Sequence, residues 1–417
     1  MASFKIEFIP RSYEEKETYR CANGFELPYY SVRAIARSGH KRWHIKVSFR
    51  YRVPSQTRKK KPERRLEFET FILHIDFDSL PPLIDDTVTE VELTSITQPI
   101  PQDLIPPDSQ SGALPLKQKF IPPFTPENRF VKVANKLRYT VREDVSRVVY
   151  PQQVEELPVP TRWISDIKLK EEIPSVVPWI SRAKLDDGGR WYIYKEIDRP
   201  FYCPRDSDVM QQELYNLIQF RHVPNIVQLV AVIISRNPYL TTVRVNDIPV
   251  IRGVLLEYYS GGTLELILNK LDGRNLPWRR WALQIADGLN QLHLRNITHM
   301  DLKPSNIVID SEDNAVLIDI SGIGGVTHEW LAPELRDILD PLSLPFEARQ
   351  RNDIWAYGKL LLAMAELSGN MRERELLEGV AFGAVIDDPA SRLNLPYIIS
   401  HLGRQHPQKL PPNHVPR

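Results

Sequence analysis

Between Trp43 and Val53 every second residue is apolar: Trp43, Ile45, Val47, Phe49, Tyr51 and Val53 alternate with polar neighbours. A strict period of two predicts a β-strand with one buried face. Leu66 and Phe68 keep the habit, after which Phe71, Leu73, Ile75 and Phe77 alternate on the other phase. That slip predicts a second strand with a β-bulge near Thr70. Phe4, Ile6 and Phe8 read as another strand, and Tyr30 to Ala36 as a fourth. Residues 1–80 are therefore expected to form a small antiparallel β domain of unknown role.

The pattern lapses from Pro81 to Pro126, where ten prolines fall, with Pro-Pro pairs at 81–82, 106–107 and 122–123. This is linker composition. Residues 127–160 form a connecting segment, in which Phe130, Ala134, Leu137, Val141 and Val145 suit an amphipathic helix, although the valines also allow strand. From residue 161 the texture is that of a second folded domain reaching residue 405. Arg190 to Ile197 read as a strand entered by the turn Asp186-Asp187-Gly188-Gly189. Asp206 and Ser207 can cap a helix carrying Val209, Leu214, Leu217 and Ile218. Trp281 to His293 read as a long buried helix, and the proline-rich tail 406–417 as disordered.

Composition changes this picture little. At 417 residues, 42% hydrophobic and 26% charged, the chain is globular and long enough for two domains. A formal net charge of +1 provides no overall field toward nucleic acid or an anionic membrane. The two cysteines, Cys21 and Cys203, offer neither a disulfide framework nor metal-ligand spacing, which fits a reducing compartment. The first residues lack a signal-peptide pattern and the longest apolar run is about Leu229 to Ile234, so a cytoplasmic protein that does not cross a membrane is expected. The basic cluster from Arg58 to Arg65 reads first as a solvated hairpin loop, with nuclear import as the alternative. It has no interleaved aromatics on which bases could stack, so no nucleic-acid partner is expected.

The chemistry concentrates at His299-Met-Asp-Leu-Lys-Pro-Ser-Asn306, followed 18 residues after Asp301 by Asp319. Such a set suits phosphoryl transfer: Asp301 as the base toward a hydroxyl, Lys303 on the phosphate, and Asn306 and Asp319 as Mg²⁺ ligands. Upstream, Lys195 lies in the predicted strand and Glu213 on the following helix. An ion pair between them would direct the ammonium toward nucleotide phosphates; taken alone, a surface pair is the plainer reading.

Further motifs occur in order. Arg221-His-Val-Pro-Asn-Ile-Val-Gln-Leu229, Val254-Leu-Leu-Glu-Tyr258 with Gly261-Gly-Thr-Leu264, Ala332-Pro-Glu334, Asp353-Ile-Trp-Ala-Tyr-Gly358 and Asp388-Pro-Ala-Ser-Arg392 resemble, at compatible spacings, segments of the eukaryotic-type protein kinases. The resemblance spans about residues 165–405 and is of the serine/threonine type, with a general likeness to kinase-like proteins of filamentous fungi. It implies an α+β fold of two lobes, a small β-rich one and a larger helical one, with ATP and Mg²⁺ between them. It places Leu256 at the gatekeeper and Glu257 and Tyr258 at the adenine-binding hinge. It also implies that Thr327 bridges Asp301 and Lys303, that Arg392 pairs with Glu334, and that Leu217, Leu229, His299 and Ile320 stack between the lobes. The partner implied is a protein bearing a serine or threonine hydroxyl; the oligomeric state is left open.

Three departures accompany the resemblance. Pro174 to Ser181 contain no glycine where a Gly-rich loop should cover the phosphates, and two prolines there remove N–H donors. The metal triplet is Asp319-Ile320-Ser321, with Gly322 one place later. Met300 replaces the arginine that reads a phosphorylated activation loop, and only seven residues, three of them glycine, separate Asp319 from Thr327. A divergent active kinase is the leading expectation. A pseudokinase scaffold is the alternative, and a small-molecule kinase is a third reading.

Overall fold

The computed structural model describes the chain except residues 1–3, 17–19, 22–23, 26–27, 55–58, 97–109, 113–115, 121–126, 153–156, 175–176, 178, 186–188, 199–201, 245, 271–275 and 405–417. The tail, the proline pairs at 106–107 and 122–123, Arg58, most of the turn before Arg190 and part of the segment 174–181 lie outside the described residues. The described chain divides into two compact units, residues 1–147 with 236–249, and residues 148–235 with 250–417.

The first unit holds β1 (Lys5–Phe8), β2 (Glu14–Lys16), the short pair β3 (Arg20–Cys21) and β4 (Gly24–Phe25), β5 (Tyr29–Ser38), β6 (Lys41–Arg50), α1 (Lys61–Leu73), β7 (Val88–Ser95), β8 (Gln110–Gly112) and β9 (Leu137–Glu143). Its main sheet runs β1-β5-β6-β7-β9-β8, with β2 also on β5. The strand predicted over 43–53 is β6, its odd positions Ile45, Val47 and Phe49 buried. The strand predicted from Leu66 is instead helix α1. Phe68, Phe71, Ile72 and Ile75 recur at helical spacing and are buried, so the apparent phase slip is a period of 3.6. Pro62 lies in the first turn, and the Glu63 carboxylate accepts from Lys60 N at 2.8 Å. The helix carries the chain across to β7, which pairs parallel to β6, so the sheet is mixed where an antiparallel one was expected.

Val88–Ser95, assigned by its surroundings to the proline-rich linker, is a central strand with Val91 and Leu93 buried. Leu137–Glu143 is strand rather than helix: Leu137, Tyr139 and Val141 bury one face. Phe49, Phe68, Phe71 and Phe130 close the core, with ring centroids of Phe49 and Phe68 within 5.0 Å of Phe130. Within the basic cluster Arg64 meets Glu15 at 2.5 Å, Arg65 meets Glu69 at 2.6 Å and Lys59 meets Glu67 at 3.3 Å, and residues 61–65 lie in α1 rather than in the expected hairpin loop.

Segment 236–249 completes this unit from far along the chain. The Arg42 guanidinium donates to the carbonyls of Leu240 and Pro238, Thr241 N donates to Asp86 Oδ1 at 2.8 Å, and Tyr239 packs on His44. Burial there pushes His44 down to about 4.

The second unit contains β10 (Thr161–Trp163), β11 (Ile167–Glu172), β12 (Ile180–Leu185), β13 (Tyr192–Glu196), α2 (Arg205–Gln219), β14 (Leu229–Ser235) and β15 (Val250–Glu257). After them come α3 (Leu264–Leu268), α4 (Trp278–His293), β16 (Ile307–Ile309), β17 (Ala315–Leu317), α5 (Phe346–Leu367), α6 (Met371–Ala384) and α7 (Leu395–Gly403). A sheet in the order β10-β14-β15-β13-β12-β11, accompanied by α2, precedes a helical portion. This is the β-rich lobe and helical lobe of a two-lobed kinase fold. Asp206, expected to cap α2, lies in its first turn and accepts from Cys203 N at 2.9 Å. Among the described residues no helix is long and apolar enough to cross a membrane.

Candidate active site

Two ion networks organise the second unit. In the first, Lys195 is held on the central strand β13, between β12 and β15. Its ammonium donates to both carboxylate oxygens of Glu213, at 2.9 and 2.7 Å, and to Asp319 Oδ1 at 2.7 Å. Glu213 projects from α2 and is 1% exposed, whereas the Asp319 side chain keeps 38% of its surface open. Burial on its own would lower the Lys195 pKa, but the charges of Asp319 and Glu213 outweigh it and the ammonium is raised. For Glu213 burial dominates over Lys195, and the carboxyl is raised above 4.5. For Asp319 burial is opposed by Lys195, helped by His299 and Lys303, and the carboxyl is held below 3.8.

The second network lies on the catalytic-loop stretch. The Lys303 ammonium donates to Asp301 Oδ2 at 2.7 Å and to Thr327 Oγ at 2.8 Å, and the Thr327 hydroxyl donates to Asp301 Oδ1 at 2.7 Å. The Asn306 amide donates to the Asp301 carbonyl at 2.8 Å and to its carboxylate at 3.1 Å, leaving the amide oxygen as the atom free for a cation. The Ile318 N–H donates to the Asn306 carbonyl at 3.1 Å, which draws the strand leading into Asp319 beside Asn306.

Buried supports hold the loop. Asp353, on α5 and fully buried, accepts from His299 N and Met300 N at 2.8 Å each, and from His293 Nε2 at 2.9 Å. This permits a left-handed backbone at Met300, φ 63°, and Asp319 adopts one as well, φ 57°. Each costs about 1 kcal/mol or more, a strain that persists where neighbouring bonds over-determine the backbone. Gly322 has φ 71°, and a Cβ there would meet the Thr298 carbonyl at 2.5 Å, so the displaced glycine is sterically required. Farther on, Arg392, fully buried, makes a bidentate pair with Glu334 at 2.6 and 2.8 Å.

Leu256 is buried at the end of β15, opposite Ile193 and Leu229. Next to it the Glu257 N–H is used by Gln228 O at 3.0 Å, and its carboxylate is met by Arg190 at 3.2 Å. The Arg182 guanidinium lies 6.0 Å from the Tyr258 ring centre. Leu217, Leu229, His299 and Ile320 are all buried, as ordinary core residues would also be. The residues predicted at the site thus gather into the Lys195 and Asp301 networks, with Leu256, Glu257 and Tyr258 at the end of the sheet.

Sequence reasoning missed Asn216. It is fully buried on α2, and its amide donates to the carbonyls of Ile320 at 2.6 Å and Ser321 at 3.3 Å. The available signal was a mid-helix asparagine on the face of Glu213, three residues earlier, where an unpaired buried amide is costly.

Two oxygen donors, Asn306 and Asp319, suit Mg²⁺, which retains waters and takes substrate phosphates rather than an all-protein cage. Among the described residues no group of three or more histidines, cysteines, aspartates or glutamates stands together as an alternative metal centre.

Residues 179–375 match the protein kinase domain family. The chain is 25% identical over 213 residues to serine/threonine-protein kinase nekl-2 of Caenorhabditis elegans, covering 46% of this chain and 54% of that protein. It is 26% identical over 211 residues to the probable serine/threonine-protein kinase nek2 of Dictyostelium discoideum, 45% of each chain. Against human eIF-2-alpha kinase GCN2 the identity is 24% over 170 residues, 39% of this chain and 10% of that one. The chain thus spans about half or less of the length of these relatives. Matching spans and site geometry coincide: residues 179–375 carry a protein kinase domain, similar to that of serine/threonine kinases.

Proposed function

We propose that the domain binds Mg·ATP and transfers the γ-phosphoryl group to a serine or threonine hydroxyl of a protein. The observation that carries this reading is the pair of networks, Glu213–Lys195–Asp319 joined through the ammonium and the closed set Asp301–Lys303–Thr327, in one protein kinase domain. Asp301 accepts the hydroxyl proton as the oxygen attacks phosphorus, and the γ-phosphoryl–oxygen bond to ADP breaks. Lys303 offsets charge on the transferring group, and Lys195 holds the nucleotide phosphates. Asn306 and Asp319 would hold Mg²⁺, which would supply charge neutralisation to the nucleotide phosphates. Serine/threonine choice rests on Lys303 and Thr327 acting as one unit with Asp301. The cytoplasmic setting expected from cysteine usage belongs to the same proposal.

The glycine-free segment from Pro174 favours a second reading, a pseudokinase scaffold that binds partners without turnover. Thermal shift with Mg·ATP, alongside phosphate incorporation from γ-labelled ATP into generic protein substrates, separates the two. The kinase reading expects incorporation that Asp301→Asn lowers by about 10²–10⁴. Nucleotide binding with incorporation equal to that of Asp301→Asn supports the scaffold. Transfer to metabolites but not to proteins would reassign the substrate class.

A further inference from the structure

The segment from Ile320 to Val326 is tied down along its length without any phosphate-reading arginine. At its start the Asn216 amide donates to two successive carbonyls, Ile320 and Ser321. The amide's orientation is fixed from behind, since Gln212 Nε2 donates to its oxygen at 2.9 Å. In the middle the Ser321 hydroxyl accepts from Gly324 N at 2.9 Å, and the Arg205 guanidinium donates to Ile323 O at 3.4 Å. At its end Val326 packs against the buried cluster of Met300, Leu331 and Leu335, joined by Leu342 and Leu344. Met300 thus uses an apolar contact at the position where a charged reader of phosphate was expected.

Glu213 and Asn216 are three residues apart on one face of α2. The helix therefore reaches the Asp319 segment by two routes. One runs through the Lys195 ammonium and depends on charge. The other is the neutral amide, which holds at any pH at which the protein folds. A buried amide that loses such partners costs far more than an exposed one, so the second route is stiff.

We propose that Asn216 is a positioning residue that clamps α2 to the Ile320–Ser321 backbone, keeping Lys195, Glu213 and Asp319 assembled without phosphorylation of the segment. This deepens the kinase reading by naming the regulation of its site, and rests on that reading only for its catalytic consequence. The test needs no turnover: amide hydrogen exchange of the nucleotide-free full chain, followed by mass spectrometry. Wild type after phosphatase treatment should keep the same protection over 319–326 as before. Asn216→Leu, which keeps similar bulk but has no donor, should exchange about tenfold or more faster there and in the second half of α2. Exchange in α4 and in β5–β6 should stay unchanged. Should Asn216→Leu fail to fold, Asn216→Ser, which keeps one donor, should show the same localised rise at smaller size. Unchanged protection over 319–326, a rise spread evenly over the domain, or loss of wild-type protection on phosphatase treatment would each overturn the clamp. A wild type that keeps its protection yet transfers no phosphate would sink the catalytic reading and leave the clamp standing.

Discussion

The two sides of the candidate site are built to different standards. On the helical side each chemical group is fixed more than once: Asp301 by Lys303, Thr327 and Asn306, and the loop's backbone by the fully buried Asp353. On the sheet side Lys195 is held as firmly, yet the segment that should cover the phosphates has no glycine between Pro174 and Ser181. Its described part turns on itself and onto the sheet instead: the Ile180 N–H donates to Val177 O at 3.0 Å within the segment, and the Trp179 carbonyl accepts from Glu196 N on β13 at 2.8 Å. Donors for the chemistry are kept while donors for the nucleotide's phosphates are reduced. On the proposed kinase reading, the difference makes nucleotide hold the weaker half of the site.

That contrast can be broken at its strong side first. Lys195→Met should lower phosphoryl transfer by about 10²–10³, the scale of a lost electrostatic donor, measured as initial rate at saturating nucleotide. It also leaves Glu213 and Asp319 facing each other without a cation. Next, Glu334→Ala strands the fully buried Arg392 guanidinium and should cost about 3 kcal/mol of stability, read from the denaturant midpoint.

Acidification should unmake the Lys195 network in a fixed order. Glu213, raised chiefly by burial, takes its proton first, at a pH above 4.5; Asp319, depressed, takes its proton below 3.8. Because folded Glu213 holds its proton more tightly than the unfolded chain does, its contribution favours folding below the ordinary glutamate value and is lost as pH rises through the folded one. Asp319 contributes the opposite way, with stability present above the ordinary aspartate value and lost as pH falls through its lower folded value. Carboxyl ¹³C titration of the two side chains checks the order, and Asp319 protonating first would contradict it. The smallest effect belongs to the weak side. Pro174→Gly with Val177→Gly should tighten Mg·ATP by about threefold to tenfold, the worth of a restored backbone donor, read by calorimetry.

The sequence made the site more legible than the fold around it. Asp301, Lys303, Asn306 and Asp319 stand close in the chain at spacings fixed by one loop and one short hairpin, β16 to β17, so order and distance along the sequence carried the geometry. Lys195 and Glu213 needed only the correct assignment of one strand and the next helix. The first unit was harder because Leu66 and Phe68 fit a period of two as well as α1 does, and Phe71 and Ile72 decide between the readings only through adjacency. β7 hid in proline-rich surroundings, and its parallel pairing to β6 is non-local. The contribution of Arg236–Pro249 to that unit has no local signature at all, since its partners Arg42 and Asp86 lie more than 150 residues away. Asn216 escaped for a similar reason: its acceptors are backbone carbonyls more than 100 residues on.

The most direct test of the central claim is the rate of γ-phosphate incorporation by the full wild-type chain with Mg·ATP, set beside Asp301→Asn under the same conditions. We expect measurable transfer by the wild type, lowered about 10²–10⁴ in the variant with its fold and nucleotide binding retained. Equal incorporation by the two proteins would contradict the claim.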